Sequence, residues 1–384
     1  QQESDQLNEV LQHFGGYLGE SRYQVLTNIR KKLTVIDPLA AALAQNTANF
    51  SMKQEKLNRG KQICQDILES LQKQIPSAEG EFFGSIVNGF DTQHSDFDYT
   101  ILMNDSRYDG YESKVRILEF IKARMALTTT AEDVTVIQAR VPILKFYIED
   151  HWEFNISVDN PLGVYNSRLL GAYAKIDPRV REIGLAVKRW AKARGVLGAP
   201  DGYLSSYAYV LMVISFLQTT KPPVLPSLQK IARQNGKSEL ITVRKGTQYN
   251  EVYLSVDVAF EDNLEEIKEF MTGNFTTSNT TSSAGLLEEF FHNYGYNYQA
   301  EASKGSLSIS AGKMVTKKPN FNNNLISILD PFDHTSDLGA PARTKVKRKE
   351  IFSELQLAYR KMLAKDFEGL FEEVKRQPNN TDFW

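Results

Sequence analysis

The chain has 384 residues, 41% of them hydrophobic and 24% charged, with a formal net charge of -2 at pH 7. This is ordinary globular composition with length for two domains; it excludes a chain coated in positive charge, though not a local basic groove beside an acidic site. One cysteine, Cys64, allows no internal disulfide, and no apolar run reaches membrane length, so neither a secreted disulfide scaffold nor a membrane protein is expected.

The chain opens on Gln-Gln-Glu-Ser-Asp without Met, as a fragment would. Leu7, Val10, Leu11 and Phe14 fall near a helical stripe, and Pro38 to Phe50 is alanine-rich and reads as helix. A longer helix is expected over residues 51–74, with Leu57, Ile63, Ile67, Leu68 and Leu71 as its apolar face and Pro76-Ser77 beyond its end. Cys64 reads as an inert part of that packing. A strand at Glu81–Phe83 then leads into the turn Gly84-Ser85, and Ser95-Asp96-Phe97-Asp98 runs into the apolar stretch Tyr99–Met103. A strand repeats every two residues, which puts Asp96 and Asp98 on one face. Two adjacent carboxylates repel, and a hard divalent cation such as Mg²⁺ relieves that repulsion. The Gly-Ser turn can offer backbone N–H groups to a phosphate. Phosphate at the turn and a metal at the acids is a phosphoryl-transfer arrangement. The bland alternative, a solvated hairpin turn, does not explain why the turn, the spacing and the strand coincide.

Residues 111–125 read as helix, with Val115, Leu118 and Ile121 at helical spacing, and strands are expected at 134–137 and 141–147. From Trp152 to Asn160 the pattern alternates, with Glu153, Asn155, Ser157 and Asp159 on one face and Phe154, Ile156 and Val158 on the other. Residues 160–163 read as a turn. Asn166 and Ser167 open a helix, and Pro178 starts the next, whose stripe is Val180, Ile183, Val187 and Trp190. Lys188 and Lys192 lie four apart on one face of it, either as a polyphosphate clamp or as a solvated basic face. Another helix begins within residues 202–212, and Lys221–Pro226 is a rigid loop. Residues 229–258 give mixed signals, with a modest basic cluster at Lys237, Arg244 and Lys245. Helices are expected at 261–270 and 286–294, and over 345–378; a loop is expected at 274–283 and a polar, mobile stretch at 300–324.

Four motifs occur in order: Gly84-Ser85 with the paired acids, Val187-Lys188-Arg189-Trp190-Ala191-Lys192, Leu204-Ser205-Ser206-Tyr207-Ala208-Tyr209-Val210-Leu211-Met212, and Asp330-Pro331-Phe332-Asp333. Together they resemble the RNA-tailing nucleotidyltransferases of the polymerase-beta-like superfamily, the terminal uridylyltransferases and their poly(A)-adding relatives. The resemblance covers about residues 82–339. It implies an α+β fold, with a mixed-sheet nucleotidyltransferase domain at 60–165 and a helical nucleotide-recognition domain at 166–340. Segments 1–59 and 341–384 would pack on the helical domain, and the nucleotide would lie in the cleft. The resemblance assigns the triphosphate to Gly84, Ser85, Lys188, Lys192 and Ser206, base stacking to Tyr207, and the ribose hydroxyl and base edge to Asn166 and Ser167. It makes Asp96 and Asp98 catalytic ligands of Mg²⁺ or Mn²⁺.

The same resemblance asks for a third catalytic, metal-binding aspartate at position 155, where this chain has an asparagine. An engineered Asp→Asn change, a naturally inactive protein, and a shifted register using Glu153 or Asp159 all remain open. In many uridine-adding members a histidine faces the base from the loop after Asp-Pro-Phe. Here Ser336 stands at that place, followed by Asp337, with His334 two residues earlier. The resemblance implies template-independent transfer of UMP from UTP to an RNA 3′ hydroxyl. ATP-using poly(A) addition is the runner-up, and an inactive RNA-binding scaffold is the third reading. The expected partners are UTP and an RNA 3′ end, and the expected state is a cytoplasmic monomer without membrane contact.

Overall fold

The structure, a computed structural model, describes residues 52–374 except 104, 109, 129, 150, 246–250, 276–277, 302–304 and 322–324. The helices expected before residue 51 lie outside the described residues, as does the end of the closing segment.

A five-stranded mixed sheet forms the first layer. Its strands are β1 (Glu79–Phe83), β2 (Phe97–Leu102), β3 (Glu132–Ile137), β4 (Ile143–Ile148) and β5 (Trp152–Val158), in spatial order β1-β2-β5-β4-β3. Only β2 and β5 pair in parallel. Helix α1 (Gln54–Gln72) buries Ile63, Cys64, Ile67, Leu68 and Leu71 against the sheet. After the short α2 (Ser85–Asn88), α3 (Tyr111–Thr128) adds Leu118, Ile121 and Met125 to the same core. Cys64 is fully buried, and burial pushes its thiol far up, so it packs and does not react. The expected boundary at residue 60 falls inside α1. That helix packs on the sheet from its first turns, with Met52 and Leu57 in the sheet core rather than on the helical layer.

Three phenylalanines set the register of the central strands. Phe97, Phe154 and Phe146 are direct neighbours across β2, β5 and β4. Phe97 stacks on Phe154 at 4.6 Å, and Phe154 on Phe146 at 4.9 Å. A one-residue slip would turn these rings out of the core, so the ladder holds the register. The residues one step further along then align on the opposite face: Asp98 beside Asn155, and Asn155 beside Lys145.

The second layer is helical. It contains α4 (Pro161–Ile176), α5 (Pro178–Ala193), α6 (Ser206–Thr219), α7 (Leu228–Gln234), α8 (Leu264–Asn274) and α9 (Ser283–His292). Trp190 of α5 packs edge-on against Tyr209 and Phe291 at its centre. Helix α4 begins at Pro161, five residues before the expected start at Asn166. The side chain of Asn160 caps it by accepting from the Gly163 N–H, and Pro161 occupies the first turn, where its missing N–H is harmless. The acidic helix starts at Leu264, later than expected, because Asn263 caps it.

Residues 229–258, which gave mixed signals, contain a hairpin of β6 (Leu240–Lys245) and β7 (Val252–Asp257). The stretch expected to be polar and mobile continues from the short α10 (Tyr298–Glu301) into a hairpin of β8 (Gly305–Ser308) and β9 (Lys313–Thr316). All four residues of β8 are buried. Its serines can be buried because Ser306 bonds Ser327 and Ser308 bonds Ser310. Closing helices α11 (Lys345–Ala364) and α12 (Phe367–Leu370) bring Ile351, Leu355, Ala358, Met362 and Leu370 into the helical core. Among the described residues no helix is long and apolar enough to cross a membrane.

Candidate active site

A cavity of about 790 Å³ lies between the sheet and the helical layer. Its wall includes Gly84, Ser85, Asp96, Asp98, Asn166, Ser167, Lys188, Lys192, Ser206 and Tyr207. Ten of the residues singled out in the sequence therefore share one space.

Gly84 closes β1 at φ 73°, in the left-handed region open to glycine. A Cβ there would stand 2.1 Å from Asp98 Oδ2, so only glycine lets the turn lie against that acid. The Gly84 N–H donates to Ser167 Oγ at 2.8 Å, and Ser167 donates in turn to the Gly163 carbonyl at 2.7 Å. The hydroxyl expected to meet the ribose or base thus ties the turn to α4.

Strand β2 begins at Phe97, which leaves Asp96 one residue before it and Asp98 within it. Burial pushes the Asp98 carboxyl up to about 7, and the charge of Asp96 adds to the shift while the hydrogen bond from Asn155 opposes it. Burial likewise pushes Asp96 to about 6, with Glu153 raising it and Lys145, Lys188 and Lys192 lowering it. A partly buried pair of acids held this far up favours a bound positive charge. Lys188 donates from Nζ to the Phe90 carbonyl at 2.6 Å. Burial lowers its ammonium to about 8, against the pull of Asp91, Asp96 and Asp98. Lys192, one turn on, is exposed in the cavity.

Asn155 sits beside Asp98, with Nδ2 3.4 Å from Asp98 Oδ1 and 3.2 Å from Glu153 Oε1. The two carboxylates considered as substitutes are occupied. Glu153 pairs with Lys145 Nζ at 2.8 Å and accepts from the Tyr147 hydroxyl at 3.2 Å. Asp159 lies past the end of β5, where Oδ1 accepts from the Met103 N–H at 2.8 Å. Among the described residues no group of three or more acids, histidines or cysteines could hold a metal. Asp96 and Asp98 fit one hard cation, while Asn155 adds a neutral amide that turns its nitrogen toward Asp98.

On the helical side, Ser205 caps α6, so Ser206 and Tyr207 open its first turn facing the cavity. Asn166 donates from Nδ2 to Asp330 Oδ2 at 3.2 Å, and its buried Oδ1 has no hydrogen-bond partner. The buried Tyr207 hydroxyl also lacks one, and burial with the nearby Asp330 charge raises it well above the usual phenol range.

Ser336 and Asp337 do not join this wall. They line a second cavity of about 480 Å³ with Arg140, Lys245 and Thr335. Ser336 donates to Asp333 Oδ2 at 2.8 Å and accepts from Lys245 at 2.9 Å and Arg140 at 3.4 Å. Asp337 Oδ1 accepts from the backbone N–H groups of Ile328 and Gly339, each at 2.9 Å. Turn chemistry of this kind suits an aspartate. His334 is held by Ser310 and the Pro331 carbonyl. The basic cluster is internally paired: Lys237 with Glu261, Arg244 with Glu251 and Lys245 with Asp333.

Sequence reasoning missed Arg189 and Phe371 in the cavity wall, and it quoted Asp330 in a motif without the hydrogen bond it accepts from Asn166. Arg189 was legible, because it lies within the lysine motif and three residues before Lys192. Phe371 had no signal, since it reaches the cavity from the far end of the chain.

The family model for the central palm domain of mitochondrial-like poly(A) RNA polymerases matches residues 39–175. Poly(A) RNA polymerase GLD2-A of Xenopus laevis is 30% identical over 281 residues, 72% of this chain and 51% of that protein. Terminal uridylyltransferase 7 of Homo sapiens is 30% identical over 289 residues, 74% of this chain and 18% of that protein. The chain therefore spans about half the length of the first and under a fifth of the second. Among solved structures, the Cid1 poly(U) polymerase with magnesium and 3′-dATP superposes with a TM-score of 0.71 at 26% identity. That match covers 88% of this chain and 99% of that one. A polymerase-beta-like sheet, a helical partner layer and these relatives agree, and the chain belongs to the family of terminal uridylyltransferases and poly(A)-adding RNA polymerases.

Proposed function

We propose that this chain is built for template-independent transfer of a nucleoside monophosphate from a nucleoside triphosphate to the 3′ hydroxyl of RNA, with UTP as the donor. The observation that carries the reading is the convergence of Gly84, Ser85, Asp96, Asp98, Lys188, Lys192 and Tyr207 on one cavity. Lys188 and Lys192 bind the triphosphate, Ser85 and Ser206 orient it, and the Tyr207 ring carries the base. Asp96 and Asp98 would hold Mg²⁺ or Mn²⁺, which supplies charge neutralisation for the leaving pyrophosphate. The partition into a sheet domain and a helical domain, with the nucleotide between them, belongs to the same proposal.

Asn155 stands where a carboxylate would help deprotonate the attacking hydroxyl, and an amide cannot take that proton. The chain as it stands therefore binds nucleotide and turns over slowly. ATP is the second reading, favoured by one observation: Ser336 is drawn out of the cavity by Asp333, Lys245 and Arg140, and leaves the base end without a side chain from that position. The test is incorporation of labelled UTP and ATP into an RNA primer with Mg²⁺, by this chain and by Asn155→Asp. Addition by Asn155→Asp, with UTP preferred, supports the proposal. Inertness of both proteins with every nucleotide favours an RNA-binding scaffold.

A further inference from the structure

The chain's last described segment returns to the cavity. After α11, Leu370 enters the helical core at 1% exposure, and the next residue, Phe371, forms part of the cavity wall. The segment is fastened to the end of α5, the helix that carries Lys188 and Lys192. Arg194 pairs with Glu354 of α11 at 2.8 Å, with both side chains about nine-tenths buried. The same guanidinium donates to the Glu372 carbonyl at 3.1 Å, and the Val374 N–H donates to the Ala193 carbonyl at 2.7 Å. Between these anchors the Phe371 ring lies under the Arg189 guanidinium, 4.5 Å from its carbon to the ring centroid.

Arg189 also lines the cavity, three residues before Lys192 and one after Lys188. The last turn of a helix carries partial negative charge, which repels an anion. A triphosphate placed there needs several cations and few open carbonyls. The Val374 N–H satisfies one of those carbonyls. An aromatic face also attracts a guanidinium and limits its rotation through contact with the plane of the group.

We propose that Phe371 is a positioning residue that holds Arg189 as a third cation for the phosphate chain of the bound nucleotide, so that the C-terminal segment is part of the nucleotide site. This rests on the nucleoside-triphosphate reading above. Phe371 acts through Arg189 and adds nothing to the base.

The experiment is calorimetric titration of UTP and of UMP, with Mg²⁺, into the full 384-residue chain and into Phe371→Ala, Phe371→Leu, Phe371→Tyr, Arg189→Gln and the double variant Phe371→Leu/Arg189→Gln. Loss of an exposed cation–aromatic contact predicts that Phe371→Ala and Phe371→Leu bind UTP about two- to fivefold more weakly. Arg189→Gln loses at least as much. UMP affinity stays within error in all of them, Phe371→Tyr binds UTP as the parent does, and the double variant is no weaker than Arg189→Gln alone. Phe371→Leu preserves apolar packing, so it carries the test if Phe371→Ala fails to fold. UTP binding by Phe371→Leu equal to the parent's, or equal losses for UTP and UMP, overturns the role of Phe371 and leaves the nucleotide reading standing. A parent chain that binds neither UTP nor ATP overturns both.

Discussion

Asn155 and Asp98 are direct neighbours on parallel strands, and the Asn155 amide nitrogen points at the Asp98 carboxylate across 3.4 Å. A donor there lowers the cost of the Asp98 charge, which is work a cation would do. Replacing Asn155 with aspartate removes that donor and brings a third acid to the pair. We expect Asn155→Asp to raise primer extension by about 10²–10⁴-fold, the usual contribution of a positioned base. UTP affinity should change little. Adding Glu153→Gln should not cancel the gain, because Glu153 is committed to Lys145 and Tyr147. Extension by the unmodified chain at the rate of Asn155→Asp would refute this.

The acid pair makes metal-free stability depend on pH. Burial holds the Asp98 carboxyl up to about 7 and that of Asp96 up to about 6 in the folded chain, both above the ordinary carboxylate value of 3.8. Between about pH 4 and pH 7 the unfolded acids have lost protons that the folded ones retain, so these groups' contribution to stability falls as pH rises through that window. Without metal, the melting temperature should fall from pH 5.5 to pH 8 more steeply in the parent than in Asp98→Asn. Mg²⁺ should raise it more at pH 8 than at pH 5.5. A Mg²⁺ shift equal at both pH values would exclude a cation at these acids.

The lysines should act on phosphate charge. Lys188→Ala should weaken UTP about ten- to a hundredfold, the range for a hydrogen bond to a charged group, and uridine hardly at all. Lys192, more exposed, should cost less, and Ser85→Ala less again. Tyr207→Ala should weaken both ligands by about 1–3 kcal/mol through lost stacking. Equal losses of UTP and uridine in Lys188→Ala would contradict the assignment.

Base choice should depend on Asn166 and not on Asp337. The unpartnered Asn166 Oδ1 is buried at the cavity wall, whereas Asp337 Oδ1 is taken by two backbone N–H groups. Asn166→Ala should shrink a UTP-over-ATP preference measured by titration. Asp337→Ala should leave that ratio unchanged and cost about 1–3 kcal/mol of stability, the penalty for stranding buried donors. A changed ratio in Asp337→Ala would restore the loop to the base site.

Much of this was legible in the sequence, for local reasons. Glycine and serine before two acids and an apolar strand can be read within 20 residues, because strand period fixes the face of each side chain. Helix spacing put Lys188 and Lys192 on one face, while only the family resemblance chose a phosphate role over a solvated basic face. Failures came where distant partners decide. Asn160 and Pro161 looked like a turn until the Gly163 N–H was seen to be capped. Ser306 and Ser308 looked solvated, yet partners on other segments let them be buried. Ser336 was assigned by motif alignment, while Lys245, Arg140 and Asp333 determine where it points. Phe371 lies more than 250 residues from Asp98, and only the packing of α11 and α12 brings it back.

The capped junction at Asn160-Pro161 also governs how the cleft can move. Strand β5 runs into α4 with two intervening residues, Asp159 and Asn160, and both are tied to β2 or the residue following it. Asp159 accepts from the Met103 N–H, and the Asn160 N–H donates to the Thr100 hydroxyl. The Gly84–Ser167 bond adds a second rivet between the same layers. Strand and helix therefore behave as one stiff bracket, with Asn155 on one arm and Asn166 on the other. The separation of the Asp98–Asn155 pair and Asn166 is a built-in gauge, and any breathing of the cleft must take place at the ends of the layers away from this corner.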